Sequence, residues 1–195
     1  MNTNTVPTTT QIPTTTQIPT GTYTIDPTHS RIGFVARHAM VTKVRGSFNE
    51  FDGTGSFDAA NPAVAQLQLT IQAASIDTRN ADRDGHLRSN DFFDMDTYPE
   101  ISFVSTAVEQ TGDDEYQVTG DLTIKGVTKP VTIDFEYTGT AVDPYGNTRI
   151  GLDGTTTVNR KEWGVIWNAA LEAGGALVSE TDTLECAVSA NRSAE

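Results

Sequence analysis

The residues best suited to chemistry lie near the start of the chain, in the segment DPTHSRIGFVARHAM, which holds Asp26, His29, Ser30 and His38. Aspartate, histidine and serine are the side chains of hydrolase triads, and two histidines are also common zinc ligands. However, Ser30 lacks the glycines of the G-x-S-x-G elbow. An unbroken strand would place the two histidines about 30 Å apart and on opposite faces. The segment therefore predicts neither a triad nor a shared metal site, and Asp26, Thr28 and Ser30 are expected to form a turn.

His38 is the residue of this segment with the strongest claim to a functional role. It has the same strand parity as Ile32, Phe34 and Ala36, so it is expected to point inward at the far end of an apolar row. Two interpretations remain open at this point. His38 is either a core histidine with its hydrogen bonds satisfied or a polar group that orients a ligand inside the protein.

A second mixture of acids, bases and a histidine occurs in NADRDGHLRSNDFF, which contains His86, Phe92 and Phe93. It is consistent with a helix surface, with the polar rim of a binding mouth, or with acid–base catalysis. The two phenylalanines are either buried plugs or lid contacts to a ligand. The chain has no P-loop, no GxGxxG and no Cys/His zinc spacing, and the lone Cys186 has no evident activating base. We expect no cofactor, no metal and no catalytic residue.

The elements that must position these residues are β-strands. Apolar and polar residues alternate along several segments, a pattern typical of strands with one face on a core and one in water. About eight strands with short connections indicate an antiparallel barrel or sandwich. The predicted strands are Arg31–His38, Val44–Phe51, 65–73, Ile101–Val108, 116–125, 131–137, Asn147–Val158 and 184–188.

Two stretches lack the strand period. A short helical insertion is predicted over about residues 78–95, with Thr78 or Asn80 as its N-cap. The second stretch, residues 159–175, carries both tryptophans, Trp163 and Trp167.

Composition sets the class of protein. The 195 residues suit one domain, residues 21–195, behind a tail. Residues 1–20 are rich in Thr and Pro, contain TTTQIP twice and carry no charge, so a disordered tail is expected, with a glycosylated stalk as the alternative. The tail does not resemble a secretory signal, so a cytoplasmic protein is predicted. A net charge of −13 argues against nucleic acid as a partner. No apolar stretch is long enough for a membrane helix, so stable membrane insertion is not expected.

Several motifs together resemble the YceI-like family. They are YTIDPTHSRIGFVARH, VRGSFNEFDGTGSFD, SIDTRNADRDGHLRSNDFFDMDTYPEISF, VTGDLTIKGVTKPVTIDFEY and NRKEWG, in this order from about Thr22 to Ala190. The resemblance implies a lipocalin-like, eight-stranded antiparallel barrel whose apolar pore holds a polyisoprenoid or a similar lipid. It brings no established catalytic mechanism. Many members are exported, which makes a periplasmic or secreted location the alternative.

The resulting hypothesis is a barrel that binds a long-chain isoprenoid or fatty lipid for transport, storage or sequestration, as a monomer or a homodimer. One alternative is an enzyme that acts on such a lipid, with His38 or His86 as the acid–base group. Another is a stress-response barrel with a filled core. The expected pore lining is Phe34, Leu67, Leu69, Phe103, Leu122, Ile133 and Phe135; the expected end closures are Phe48, Phe92, Phe93, Trp163 and Trp167; the expected head-group contacts are His38 and Arg83.

Overall fold

The structure is a computed structural model that describes residues 17–172 and 174–193. Most of the predicted disordered tail, residues 1–16, therefore lies outside the described residues. In the described part the chain forms eleven strands and one α-helix, α1, Ala81–Arg88, together with short 3-10 turns. The strands are β1 Gly21–Ile25, β2 Arg31–His38, β3 Thr42–Phe48, β4 Phe51–Phe57, β5 Gln66–Gln72, β6 Ile76–Asp77, β7 Glu100–Gln110, β8 Glu115–Ile124, β9 Val127–Val142, β10 Thr148–Asn159 and β11 Thr181–Arg192.

The strands form a closed, eight-stranded antiparallel barrel. Three pairs of short strands act as three long, broken strands: β1 with β2, β3 with β4, and β5 with β6. They are followed by β7 to β11 in a simple meander. Both β1 and β2 pair with β11, the last strand, which closes the ring and leaves the long strands without a free edge.

The inward faces follow the predicted alternation. Val131, Ile133, Phe135 and Tyr137 of β9 are all buried, and the intervening residues of that strand are exposed. The adjacent strand β8 repeats the pattern with Tyr116, Val118 and Leu122. Each strand thus contributes one apolar row to a single core inside the barrel.

The second broken strand differs from the sequence prediction. Val44–Phe51 was expected to be one strand, but the chain breaks at Asn49–Glu50 between β3 and β4. Phe48 and Phe51 are both buried although their odd spacing would put them on opposite faces of a continuous strand. The break interrupts the alternation after Phe48, so the Phe51 side chain points into the barrel as the Phe48 side chain does. Strands β1, β4 and β6 were not among those predicted.

The helical insertion covers one end of the barrel. Helix α1 begins after Asn80, whose side chain accepts a hydrogen bond from Arg83 N at 2.9 Å, so Asn80 is the N-cap. Turns over residues 89–97 follow the helix and complete the insertion. In the described part of the chain, no helix has the length and apolar character needed to cross a membrane.

Residues 17–20, which the sequence assigned to the disordered tail, have defined contacts with the barrel. Ile18 is buried and belongs to the core, and the Tyr23 hydroxyl donates to Pro19 O at 2.6 Å. The Thr20 hydroxyl accepts from Ala59 N at 2.9 Å. Residues 17–20 are thus part of the barrel because an apolar side chain within the polar tail finds a place in the core.

Candidate ligand-binding cavity

An elongated apolar cavity of about 270 Å³ runs through the barrel. Both Tyr116 and Ile124, near the two ends of β8, line it. Eight residues of strand span about 26 Å, and the usual strand tilt in barrels reduces this to about 20 Å along the axis. The cavity is therefore long and narrow, a shape that suits one extended chain better than a compact ligand.

Most of the residues predicted to meet a ligand line this cavity. The agreement follows from strand parity for the pore residues and from the aromatic content of the two irregular stretches for the end closures. The residues that line it as predicted are Phe34, Phe48, Leu67, Leu69, Phe92, Phe93, Phe103, Leu122, Ile133, Phe135 and Trp163. Their contact with a ligand stays a prediction.

Three predicted residues do not line the cavity. His38 is exposed at the end of β2, so the expectation that it points inward is wrong. His38 has the same strand parity as Phe34 and Ala36, which line the cavity. However, it lies at the last position of β2, beyond the part of the strand that lines the cavity. Arg83 is exposed and bonds to Thr78, through its hydroxyl at 2.7 Å and its carbonyl at 2.8 Å. Trp167 packs outside the cavity, 4.6 Å from the His86 ring and 5.3 Å from the Phe92 ring, measured between centroids.

The end of the cavity near α1 is closed by aromatic side chains from both irregular stretches. The Phe93 ring packs edge-on against Phe48 at a centroid distance of 6.0 Å. Trp163 is buried, and its indole N–H donates to Leu122 O at 2.9 Å. Leu87 of α1 adds an aliphatic contact to the same lining. The sequence-based assignment of these stretches to the closure of a barrel end thus fits their position.

Two charged residues that sequence reasoning missed also line the cavity, Arg160 and Asp182. Arg160 follows β10 and is only 6% exposed. Asp182 lies at the start of β11 and accepts a hydrogen bond from the Ser179 hydroxyl at 3.1 Å. Burial raises the pKa of Asp182, opposed by the Ser179 hydrogen bond and the nearby Arg160 charge. The only sequence signal was a basic residue in NRKEWG beside an apolar stretch, which does not distinguish a buried guanidinium from a surface one.

Polar groups on the remaining wall are few. Burial raises the pKa of the Cys186 thiol to about 11, so the thiol is protonated at neutral pH. Burial also raises the pKa of Tyr23 and of Tyr116, which lie toward the other end. The rest of the lining is mostly aliphatic and aromatic.

Residues Asp26–Ser30, the start of the segment first considered for catalysis, form a turn that does not line the cavity. Asp26 accepts from Thr28 N at 3.0 Å and pairs with His29 Nδ1 at 2.8 Å. The Ser30 hydroxyl accepts from Ser189 N at 2.9 Å, so it joins the turn to β11. The predicted turn is therefore present, with a cross-strand bond that the sequence did not suggest. Among the described residues, no cluster of three or more His, Cys, Asp or Glu could hold a metal ion.

Comparison with known proteins finds relatives of this chain. Residues 23–190 match the YceI-like domain. The chain is 43% identical over 137 residues to the UPF0312 protein of Pseudomonas savastanoi pv. phaseolicola, covering 70% of this chain and 71% of that protein. It is 44% identical over 135 residues to the UPF0312 protein of Photorhabdus laumondii subsp. laumondii, covering 69% and 70%.

Solved structures share the same barrel. Burkholderia cenocepacia BcnA superposes with a TM-score of 0.73 at 26% identity, covering 85% of this chain and 98% of that chain. A Campylobacter jejuni YceI protein superposes with a TM-score of 0.70 at 28% identity, covering 81% of this chain and 90% of that chain. A polyisoprenoid binding domain from Saccharophagus degradans, implicated in plant cell wall breakdown, gives 0.66 at 17% identity, covering 88% and 98%, and shows likeness of fold alone.

Proposed function

Because this chain belongs to the YceI-like domain family, we propose that it binds one long-chain lipid, a polyisoprenoid or a similar molecule, inside the barrel and carries or stores it. The observation that carries the proposal is the long, narrow and mostly apolar cavity. The Saccharophagus domain of the same fold is a polyisoprenoid binding domain, and this ligand class is extended here to the present chain.

The chemistry of the wall favours a lipid over a polar metabolite. A sugar or a nucleotide needs several convergent polar groups to replace its bonds to water. The lining instead offers long rows of aliphatic and aromatic side chains, with its charged side chains Arg160 and Asp182 close to one end. Burial of hydrocarbon is therefore the main source of affinity that this wall can supply.

Magnitudes indicate a long chain. A cavity of about 150 Å³ is known to hold benzene, so about 270 Å³ holds roughly a dozen carbon atoms in the described conformation. At about 0.8 kcal/mol for each buried CH₂, these contribute on the order of 10 kcal/mol. Association costs about 4–15 kcal/mol. A short chain therefore binds weakly, and tight binding requires a longer chain that moves side chains at the ends of the cavity.

The alternatives lack support from the residues first suggested for them. An enzyme acting on the lipid was to use His38 or His86, and neither lines the cavity. His86 instead pairs with Asp91 Oδ2 at 2.8 Å and packs against Trp167. A barrel filled by its own side chains would leave no cavity of the observed size.

The test uses two neighbouring residues on opposite faces of β2. Ala36 lines the cavity, whereas Val35 does not. The full chain is freed of endogenous lipid, refolded and titrated with radiolabelled geranylgeraniol. We expect one molecule bound per chain, an affinity reduced by roughly tenfold or more in Ala36→Phe because the new ring occupies the volume of several CH₂ groups, and a change within about twofold in Val35→Phe. Equal binding by both variants, or no binding by the wild type, would overturn the proposal.

A further inference from the structure

The hairpin that joins β2 to β3 exposes two adjacent apolar side chains at its tip. Met40 and Val41 are 56% and 77% exposed, and Val41 N closes the turn by donating to His38 O at 3.0 Å. A single exposed apolar side chain is ordinary on a protein surface. Two neighbours at the turn of a hairpin instead form one apolar tip, which leaves water only by entering another molecule or phase.

The backbone of this tip is costly for the residues that it carries. Ala39 and Met40 have φ values of 50° and 60°, in the left-handed region that glycine and asparagine adopt most easily. Met40 gains little burial to offset this cost, since more than half of the residue is exposed. The needs of the fold alone therefore favour glycine at position 40 and do not account for a methionine.

Two cations flank the tip. Arg37 and Lys43 lie directly opposite each other on β2 and β3, next to the pair His38 and Thr42 that borders the turn, and both are exposed. Like charges directly opposite each other destabilise a strand pair. Neither cation has an ion-pair partner in the described part of the chain. An anion bound between them would remove this repulsion.

The groove beside the tip has unpaired positive charge, although the whole chain carries a net charge of −13. The two flanking cations line this groove together with Glu180 and Glu185. Each of these acids is already paired with another base, Glu185 with Arg45 Nη1 at 3.0 Å and Glu180 with Lys161. The groove therefore attracts anions.

A row of acids lies on the opposite wall of the barrel. Glu115, Glu136 and Asp153 are neighbours in one cross-strand row of β8, β9 and β10, and all three are exposed. In the eight-stranded ring these strands face β2 and β3 across the barrel axis. An eight-stranded barrel is roughly 15 Å across, and charges farther apart than about 8 Å are largely screened at physiological salt. This row therefore does not cancel the attraction of anions to the tip.

The tip lies at the end of the barrel that α1 covers. Ala39 N donates to Leu177 O at 2.7 Å, in the connection between β10 and β11. The same connection carries Trp167, whose ring packs against His86 of α1. A surface that receives the tip therefore also lies near the covered end of the cavity.

An anionic lipid surface fits the tip better than another protein does. A stable protein interface buries about 800 Å² on each partner, which two side chains at a turn do not supply. Apolar side chains beside unpaired bases are instead the combination that binds anionic membranes from the surface, because the former enter the acyl boundary and the latter meet the lipid phosphates.

We propose that the β2–β3 hairpin docks the barrel reversibly on an anionic phospholipid surface. Met40 and Val41 enter the acyl boundary, and Arg37 and Lys43 bind the lipid phosphates. This docking needs no membrane-spanning segment. It goes beyond the proposed lipid binding, and its tests need no ligand in the cavity, so the two proposals stand or fall separately.

The first test is co-sedimentation of the full chain with vesicles. We expect vesicles of equal parts phosphatidylglycerol and phosphatidylcholine to bind the protein roughly tenfold or more tightly than vesicles of phosphatidylcholine alone, since each base near an anionic surface contributes roughly fivefold. Added sodium chloride should weaken this binding. Absence of binding to the anionic vesicles, or equal binding to both kinds, would overturn the inference.

The second test removes the flanking charge. We expect Arg37→Gln to lower affinity for the anionic vesicles roughly fivefold. Arg31→Gln is the matched control, because it removes the same charge from the same outward face of β2, six residues or about 20 Å from Arg37, where Glu185 already pairs with it at 3.5 Å. The control should change affinity by less than about twofold. Equal losses in the two variants would contradict docking through the hairpin.

The third test removes the apolar contact. We expect Val41→Ser to lower vesicle affinity roughly threefold or more. The matched control is Val142→Ser, since Val142 is 68% exposed at the opposite end of the barrel, beside Asp143 and away from the cations. The control should bind as the wild type does. An unchanged affinity in Val41→Ser would contradict insertion of the tip.

Met40→Gly separates docking from folding. Glycine adopts a positive φ without strain, so this variant should unfold at the same urea concentration as the wild type or a higher one, while its vesicle affinity falls roughly threefold or more. Lower stability combined with unchanged vesicle affinity would show that Met40 serves the fold and would overturn the inference. A dimer of the free protein that Arg37→Gln dissociates would give this face to a second copy of the chain and would overturn it as well.

Discussion

The ring of Phe103 on β7 lies over Gly120 on β8, so closely that a Cβ at Gly120 would be 2.4 Å from Phe103 Cζ. The same relationship joins Phe34 to Gly46 and Phe135 to Gly154, at 2.3 Å and 2.4 Å. These three glycines therefore add no empty space to the cavity, although their small size alone would suggest that they do. They make room for rings that lie along the wall and keep the cavity narrow.

A methyl group at Gly120 should destabilise the barrel. The new Cβ would also lie 2.6 Å from Val104 O, a backbone atom that cannot move away as a ring can. We expect Gly120→Ala to lower the free energy of unfolding by about 1–3 kcal/mol, measured by urea denaturation. The control is Gly85→Ala in α1, where nothing lies within 4 Å and the helix gains up to about 1 kcal/mol. Similar losses in both variants would contradict the close packing at Gly120.

Low pH should reduce the free energy of unfolding, because it protonates Asp26 and Asp143, the two carboxylates that pair with Arg149. Arg149 Nη1 bonds to Asp26 at 2.5 Å and Nε to Asp143 at 3.1 Å. Hydrogen bonds from Arg149, Thr28 and His29 hold the pKa of Asp26 well below its usual range, and those from Asn147 help lower the pKa of Asp143 to about 2.

Both pKa values lie below those of the unfolded chain, about 3.9, so the stabilisation is complete above that pH and is lost as pH falls through about 2. We expect Asp143→Asn to make the unfolding free energy less dependent on pH between about pH 4 and pH 2. The comparison variant is Asp52→Asn, which removes one exposed carboxylate from β4. An Asp143→Asn curve as steep as the wild-type curve would contradict this account.

The Cys186 thiol should be almost inert in the folded protein. Its pKa of about 11, compared with about 8.5 for a free cysteine, lowers the thiolate fraction at pH 8 by roughly two orders of magnitude. We expect iodoacetamide to alkylate the folded chain at least about a hundredfold more slowly than the chain in guanidinium chloride, as followed by intact mass. Comparable rates in the two states would mean that Cys186 does not face the cavity as described.

Ligand chain length should control affinity, because the cavity in the described conformation holds only roughly a dozen carbons. Affinity should rise from geraniol to farnesol to geranylgeraniol as more CH₂ groups are buried. Ile18, which lines the cavity just before β1, limits the room for the longest chain. We therefore expect Ile18→Ala to favour geranylgeraniol over farnesol more than the wild type does. An unchanged ratio of the two affinities would place the end of the ligand elsewhere.

The sequence predicted which side chains of the barrel wall point inward, because that direction alternates from one residue to the next within a strand. The buried row of β9, from Val131 to Tyr137, is an example. Parity gave wrong predictions where a strand breaks or ends. It predicted one continuous strand over Val44–Phe51, although the chain breaks after Phe48, and it predicted an inward-pointing His38, although His38 is exposed at the end of β2.

The polar part of the candidate site was not predictable in the same way. Arg160 is buried by segments distant in sequence, since it bonds to Ser179 and packs near Phe92. No spacing within NRKEWG reports those contacts. His38, chosen for its strand parity, and Arg83, chosen from the possible polar rim of a binding mouth, are both exposed. Alternation along the strands thus identified the apolar wall, and the family resemblance identified the barrel, whereas the charged end of the cavity needed the tertiary structure.

Occupation of the barrel by one long-chain lipid can be measured by native mass spectrometry of the full chain purified from a bacterial host. We expect the folded protein to carry the added mass of a single long-chain lipid, which is released when the protein is denatured and which Ala36→Phe largely lacks. A folded wild-type protein that has only the mass of the polypeptide, and that takes up no geranylgeraniol when it is added, would contradict the account.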